Sequence, residues 1–191
     1  MEKKKLYDKI NLKEIKCRPL TNKDISNCLY NESQNKFTLY KDLYNCENII
    51  NLFDNDDKII LLLPVSSHVD GHWINLLLNK KTKTINYNDS YGLQPEHFKQ
   101  WLSPEKIDEL GIEQNVLDML LHTAINDGYK VKVNKTRYQQ YNNKTNNCGR
   151  HVVLRVMLKA LSNTAYNKLL KSTATSYDDA VCLITYNIIG S

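Results

Sequence analysis

The sequence predicts an α+β domain in which a central, mostly antiparallel sheet is flanked by helices. Two observations lead to this class. The hydrophobic pattern has a helical period towards both ends of the 191-residue chain, and it changes to apolar runs and alternation between residues 58 and 134. A chain of this length also buries a core without a metal or a disulfide. We expect one domain over 1–191, with a helical part over 1–57, a core part over 58–161 and a helical part over 162–191.

The N-terminal part carries signals for helices. Thr21 can cap a helix that runs through Leu29, with Asp24 at the position that completes a capping box. Further on, apolar and aromatic side chains recur at helical spacing, namely Phe37, Tyr40, Leu43, Tyr44, Ile49, Ile50 and Phe53. The pattern therefore predicts helix through most of this part.

Strands are predicted in the core part. Residues 58–65 form an apolar run that suits a strand buried on both faces, and residues 73–79 form a second one. A polar turn over 79–82 joins the second run to an alternating segment over 83–88, which predicts an antiparallel hairpin. Residues 129–134 alternate again and predict a fourth strand.

Three further helices are predicted. Pro104 stands at the first position of a helix that we expect to continue to about Ile125, before the Asp127–Gly128 stop. An apolar face with helical spacing follows residue 148 directly, and a last helix is expected over 178–189.

Composition excludes several classes of protein. The net charge is +5, which is lower than a dedicated nucleic-acid binder usually carries. The lysines at 3–5 and at 80, 81 and 83 belong either to a solvated surface or to weak contacts with phosphates. No apolar run has the roughly 20 residues that a membrane-spanning helix needs. The five cysteines contain no CxxC pair, and no secretory leader is recognisable, so we expect thiols in a reducing intracellular compartment.

Cys148 has the most informative setting of these cysteines. It follows an Asn-rich loop and directly precedes an apolar helix, where unpaired backbone N–H groups and the helix dipole stabilise a thiolate. Gly149 next to it would let a substrate backbone come close. The local pattern alone favours an inert cysteine near a helix cap over a reactive one.

An imidazole and a carboxylate are predicted to meet elsewhere in the chain. His72 begins the strand over 73–79, and Asp89 follows its hairpin partner. A turn centred between Lys80 and Lys81 would place His72 directly opposite Asp89, at about 5 Å between Cβ atoms. A thiol, an imidazole and a group that orients the imidazole are the requirements of a cysteine protease. Asn88 is an alternative to Asp89 in the orienting role.

The motifs Gly71-His72-Trp73-Ile74, Asp89-Ser90-Tyr91-Gly92, Gln139-Gln140 and Asn147-Cys148-Gly149 occur in the order found in one clan of enzymes. Together they resemble the adenain-like and SUMO-protease-like cysteine peptidases. The resemblance covers residues 59–161 and implies the adenain-like fold, with the catalytic cysteine at the N-terminus of a core helix.

The resemblance implies a role for each site residue. Cys148 would be the nucleophile, His72 the general base and Asp89 the orienting acid, with Gln140 as an oxyanion donor beside the Cys148 backbone N–H. Gln140 lies eight residues before Cys148, one or two more than is usual in the family, so Gln139 stays open as the alternative. Trp73 would either shield the catalytic ring or pack in the core.

The implied function is a cysteine endopeptidase that matures viral capsids, with a preference for small residues such as Gly-Gly or Gly-Ala at the cut. Its partners would be capsid proteins, with DNA or a peptide as a weak activator. We expect a monomer with no membrane, metal or cofactor, inside the host cell or packaged in the virion. Two alternatives are a protease that deconjugates a ubiquitin-like protein and a catalytically inactive basic interaction domain.

Overall fold

The computed structural model describes residues 11–29, 37–53, 56–142 and 145–189. The chain divides into two compact units. One unit lies within residues 1–33 and 138–191 and is helical where it is described, and the other lies within residues 34–137 and contains the sheet. The Lys3–Lys5 cluster lies outside the described residues, and the expected division at 57/58 and 161/162 stays a prediction.

Five strands form one sheet in the described part of the second unit, in the spatial order of the sequence. They are β1 (Phe37–Leu39), β2 (Lys58–Ser67), β3 (Asp70–Asn79), β4 (Thr84–Asn88) and β5 (Lys130–Val133). The α+β class is thereby confirmed. The sheet is mixed: the expected antiparallel pairing is present in its centre, at β2–β3 and β3–β4, whereas the edge pairings β1–β2 and β4–β5 are parallel.

The central strands are buried on both faces, as their apolar runs predict. All residues from 58 to 64 in β2 and from 72 to 78 in β3 are buried. Alternate residues form the main core of this unit, with Leu61, Ile74 and Leu76 almost fully inaccessible. The outer strand β5 alternates between half-buried and exposed residues, as expected at a sheet edge.

Helices of the second unit pack against that core. They are α3 (Ile50–Phe53), α4 (Pro104–Leu110), α5 (Val116–Asn126) and two 3₁₀ helices over Tyr40–Asn45 and His97–Trp101. Residues 37–39 are a strand and not the expected helix, because their backbone pairs with β2. The single helix expected from Pro104 to Ile125 is also wrong. It is broken at Gly111, whose φ of 60° is a left-handed helix cap.

The first unit is built from both ends of its sequence. Its helices are α1 (Leu12–Cys17), α2 (Asn22–Cys28), α6 (Cys148–Met157), α7 (Asn163–Thr173) and α8 (Tyr177–Ile189). Its core joins Ile15 of α1 to side chains of α6, α7 and α8, such as Leu154, Leu170 and Val181. Residues 149–156 are all buried, so α6 is the core helix that was expected to begin at Cys148.

Local start signals for helices are confirmed. The Thr21 hydroxyl accepts the Asp24 backbone N–H, and the Asp24 carboxylate accepts the Thr21 backbone N–H at 2.9 Å. Pro104 occupies the first turn of α4, with Ser103 as the cap. Among the described residues, no helix combines the length and the apolar character needed to span a membrane.

Candidate active site

His72 and Asp89 form a buried pair within the second unit. The Nε2 atom of His72 lies 3.0 Å from Oδ1 of Asp89. The side chains are 4% and 1% exposed, so little solvent competes for this hydrogen bond. The expected imidazole–carboxylate contact is therefore present, although the strand register that brings it about differs from the expected one.

The register of the β3–β4 hairpin is shifted by two residues. Asn79 pairs with Thr84 and Asn75 with Asn88, so the turn holds four residues and Asp89 is not directly opposite His72. The contact survives because strand side chains alternate with a period of two, and a shift of two residues keeps both groups on one face. Diagonal neighbours of this kind are within reach of long side chains.

Backbone groups of the following turn hold the Asp89 carboxylate. The Tyr91 N–H donates to Oδ1 at 2.7 Å, and the Gly92 N–H donates to the Asp89 carbonyl at 3.0 Å. Gly92 has a φ of 70°, and a Cβ there would lie 2.9 Å from the Thr136 carbonyl carbon. The turn therefore requires glycine at this position, both for its conformation and for the close approach.

Close packing between two strands requires glycine at position 71. A Cβ at this position would lie 1.9 Å from the Leu63 carbonyl oxygen on β2. The glycine therefore lets β3 approach β2 closely, immediately before His72.

Two aromatic rings contact the His72 ring. Tyr91 lies 4.8 Å away between centroids, and Trp101 lies 5.7 Å away, edge-on. Trp73 points to the other face of β3, as the next residue in a strand does, and packs on Phe37 at 5.6 Å. This supports the core-packing alternative for Trp73. Trp101 was missed because it lies on a 3₁₀ helix 29 residues along the chain from His72.

Cys148 lies in the first unit as the first residue of α6 and is half-buried. The preceding loop is tied to α1, because the Asn146 N–H donates to the Lys16 carbonyl at 2.7 Å. The space that a Cβ on Gly149 would fill is occupied by Leu20, whose Cβ would be 2.8 Å away. Gly149 therefore serves helix packing, which the sequence pattern did not reveal.

The two glutamines before this loop have different environments. Gln139 is 1% exposed, and its Nε2 donates to the Thr145 carbonyl at 3.0 Å. Gln140 is exposed, and its Oε1 accepts Asn142 Nδ2 at 3.2 Å. Gln139 therefore helps to fix the loop, whereas the Gln140 side chain lies at the surface.

A residue that the sequence analysis missed contacts both ends of the loop. Asp178 on α8 accepts the backbone N–H of Gln140 and the side-chain amide of Asn147. Burial raises the pKa of Asp178, and the two hydrogen bonds oppose that rise. Its partners lie 38 and 31 residues away in sequence, which no local pattern indicates.

The alternative orienting group, Asn88, makes a different contact. Its Nδ2 donates to Oδ1 of Asn75 at 2.9 Å, on the face of β3 opposite His72. Within the described ranges, no group of three or more His, Cys, Asp or Glu side chains could hold a metal ion. None of the five cysteines, all of which are described, forms a disulfide.

Comparison with known proteins gives one informative similarity. No protein-family model matches the chain. The chain is similar to the uncharacterized protein V9 of Sputnik virophage, with 25% identity over 189 residues. That alignment covers 97% of this chain and 99% of V9, so the similarity extends through both units.

Proposed function

We propose that the chain is a cysteine endopeptidase with the adenain-like fold, in which Cys148 is the nucleophile, His72 the general base and Asp89 the orienting acid. The observation that carries this proposal is the buried 3.0 Å contact between His72 Nε2 and Asp89 Oδ1. A carboxylate in this position fixes the tautomer and the orientation of an imidazole.

The proposed chemistry uses the two ring nitrogens differently. Nε2 stays bonded to Asp89, so Nδ1 takes the proton from the Cys148 thiol. The thiolate attacks the scissile carbonyl carbon, and the C–N bond of the tetrahedral intermediate breaks. The leaving amine takes the proton back from His72, which leaves a thioester. Water then attacks the thioester with His72 as the base, releases the acid product and restores the thiol.

The oxyanion of the intermediate needs hydrogen-bond donors. We assign this role to the Cys148 backbone N–H at the start of α6 and to the Gln140 side chain. The exposed Gln140 amide is accessible to a substrate, whereas the Gln139 amide is buried against Thr145. This contrast supports Gln140, with Gln139 as a support of the loop.

The proposed substrate class follows from the resemblance. Similarity to a virophage protein supports a viral origin. The role in virion maturation, the capsid proteins as substrates and the location inside the host cell or in the particle rest on the resemblance. The preference for small residues at the cut rests on the resemblance alone, because Trp73 packs on Phe37. A library of peptides tests this preference, and bulky residues on both sides of the cut would contradict it.

Active-site labelling tests the catalytic assignment. Iodoacetamide modification of all five cysteines is mapped by mass spectrometry in the wild-type protein and in His72→Ala. We expect Cys148 to react fastest near neutral pH and to lose that advantage in the variant. Peptide cleavage should fall by about 10³-fold or more in Cys148→Ala.

Cys17→Ala is the matched control, because Cys17 is an exposed thiol in the same unit. Its cleavage rate should equal that of the wild type. Full activity in Cys148→Ala would refute the proposal. A ubiquitin-like C-terminal probe that labels Cys148, without cleavage of capsid-derived peptides, would assign the chain instead to deconjugation.

A further inference from the structure

One buried carboxylate holds both ends of the loop that leads to Cys148. The Gln140 backbone N–H donates to Oδ2 of Asp178 at 3.1 Å, and Asn147 Nδ2 donates to Oδ1 at 3.0 Å. Asp178 lies in the first turn of α8 and is 2% exposed. Because Asn147 directly precedes Cys148, the segment 140–147 has both of its ends fixed to a single group on another helix.

The Asn147 side chain is used in an unusual way. An asparagine at the N-cap of a helix commonly accepts a backbone N–H from its own first turn. Asn147 makes no such cap bond on α6. Its amide instead donates to Asp178 and points towards the Cys182 sulfur, 4.0 Å away. The side chain therefore connects the start of α6 to α8.

The environment of the Asp178 carboxylate contains opposing influences on its charged form. Burial raises its pKa, which means that its charged form is disfavoured there, whereas the bonds from Asn147 and Gln140 and the charge of Lys16 favour it. Asp179, whose own carboxylate pairs with Lys16 at 2.8 Å, adds a repelling charge, and the neighbouring Cys182 thiol is buried. An apolar side chain would avoid the burial cost but would leave both loop donors without this acceptor.

We propose that Asp178 is a positioning residue that sets the distance between the glutamine end of the loop and Cys148. It acts through Asn147 and Gln140 and does not touch the substrate. This inference rests on the proposed function, because the distance matters for placing the nucleophile relative to the oxyanion donor. It also predicts loop properties that can be measured without any peptidase activity.

The test compares Asp178→Ala and Asp178→Asn with the wild type. Asp178→Ala should speed hydrogen exchange of the Gln140 amide by roughly tenfold or more, because local opening becomes easier. The pH profile of Cys148 alkylation should change in the same variant. The kcat for peptide cleavage should fall roughly tenfold, with KM little altered. Asp178→Asn keeps one acceptor oxygen and should give intermediate values in all three measurements.

Ser162→Ala is the matched control. It removes the cap of α7 in the same unit, where the Ser162 hydroxyl accepts the Ala165 N–H, and it does not touch the loop. It should lower the melting temperature without changing Gln140 exchange or Cys148 alkylation. If Asp178→Ala behaves like Ser162→Ala, the carboxylate is merely structural and the inference fails. Altered exchange and alkylation in a chain that cleaves no peptide would refute the proposed function and leave the positioning role standing.

Discussion

Asn134 makes two hydrogen bonds of opposite sense to the backbone of Asp89. Its Oδ1 accepts the Asp89 N–H at 2.7 Å, and its Nδ2 donates to the Asp89 carbonyl at 2.9 Å. Asn134 is 3% exposed and directly follows β5, so its carboxamide replaces the next pair of sheet hydrogen bonds beyond β4. The residue that faces His72 is thereby held at the end of the sheet.

Asn134→Ala should release Asp89 from this position. The variant loses the two buried hydrogen bonds to Asp89 and a third from Nδ2 to the Thr136 carbonyl, so we expect unfolding to become easier by about 2–3 kcal/mol. The downfield NMR signal of the His72 ring proton that faces Asp89 should broaden or disappear. Asn86→Ala is the control, because this half-buried residue of β4 lies on the other face of the sheet. An unchanged ring-proton signal in Asn134→Ala would show that the turn alone positions Asp89.

Gly92→Ala should destabilise the protein for two separable reasons. The positive φ costs about 1 kcal/mol, and the contact with the Thr136 backbone forces a further shift. Gly128→Ala is the matched control, because Gly128 has a φ of 85° but a Cβ added there would meet no atom within 4 Å. Urea unfolding should show the larger loss for Gly92→Ala. Equal losses would mean that conformation alone sets the requirement for glycine.

Cys182 should be the least reactive of the thiols in the first unit. Burial raises its pKa to about 11, so it stays protonated at pH 8, whereas the exposed Cys17 is accessible to alkylating reagents. Because the folded-state pKa is the higher one, the folded state holds the proton more tightly. Stability should therefore be full below pH 9 and fall between about 9 and about 11.

Cys182→Ala checks the alkaline prediction. The variant should lose stability at neutral pH through the smaller side chain, but its decline from pH 9 to 11 should be shallower. Chemical denaturation at several pH values measures both effects. An identical decline in the two proteins would assign the alkaline loss to other groups.

Glu96→Gln should weaken the start of α5. The Glu96 carboxylate accepts the Leu117 N–H at 2.8 Å and the Tyr40 hydroxyl at 2.6 Å, and it pairs with Lys99 at 2.9 Å. An amide keeps one acceptor oxygen and presents a donor to groups that need an acceptor, so we expect a loss of about 2–4 kcal/mol in unfolding experiments. The exposed Glu109→Gln should change stability by less than about 1 kcal/mol. Similar losses in both variants would contradict the capping role of Glu96.

Features set by neighbours in sequence were predictable. The Thr21–Asp24 capping box and the Pro104 helix start depend on residues within one turn, and both are confirmed. The pairing of His72 with Asp89 was also predictable, since both flank one hairpin. The register of this hairpin was not predictable. Its turn places Lys83 at a φ of 47°, a left-handed conformation that lysine rarely adopts.

Features set by distant residues were not predictable. Strand β1 is only three residues long. It pairs in parallel with β2, from which it is separated by an intervening segment of the chain. Asn134 and Glu96 act on backbone groups 45 and 21 residues away, so no periodicity marks them. The alternation of the strands could be predicted because it is a local property of the sequence. The buried polar contacts could not, because they depend on tertiary packing.

The construction of the first unit from both chain ends affects how the protein is made. Leu20 packs on Gly149, and the Lys16 carbonyl accepts the Asn146 N–H, so residues synthesised early complete their contacts only with residues synthesised late. On the ribosome, α1 and α2 must wait for more than a hundred residues to emerge before they can dock. The segment that holds Cys148 therefore reaches its final geometry only after α8, which carries Asp178, has also been synthesised.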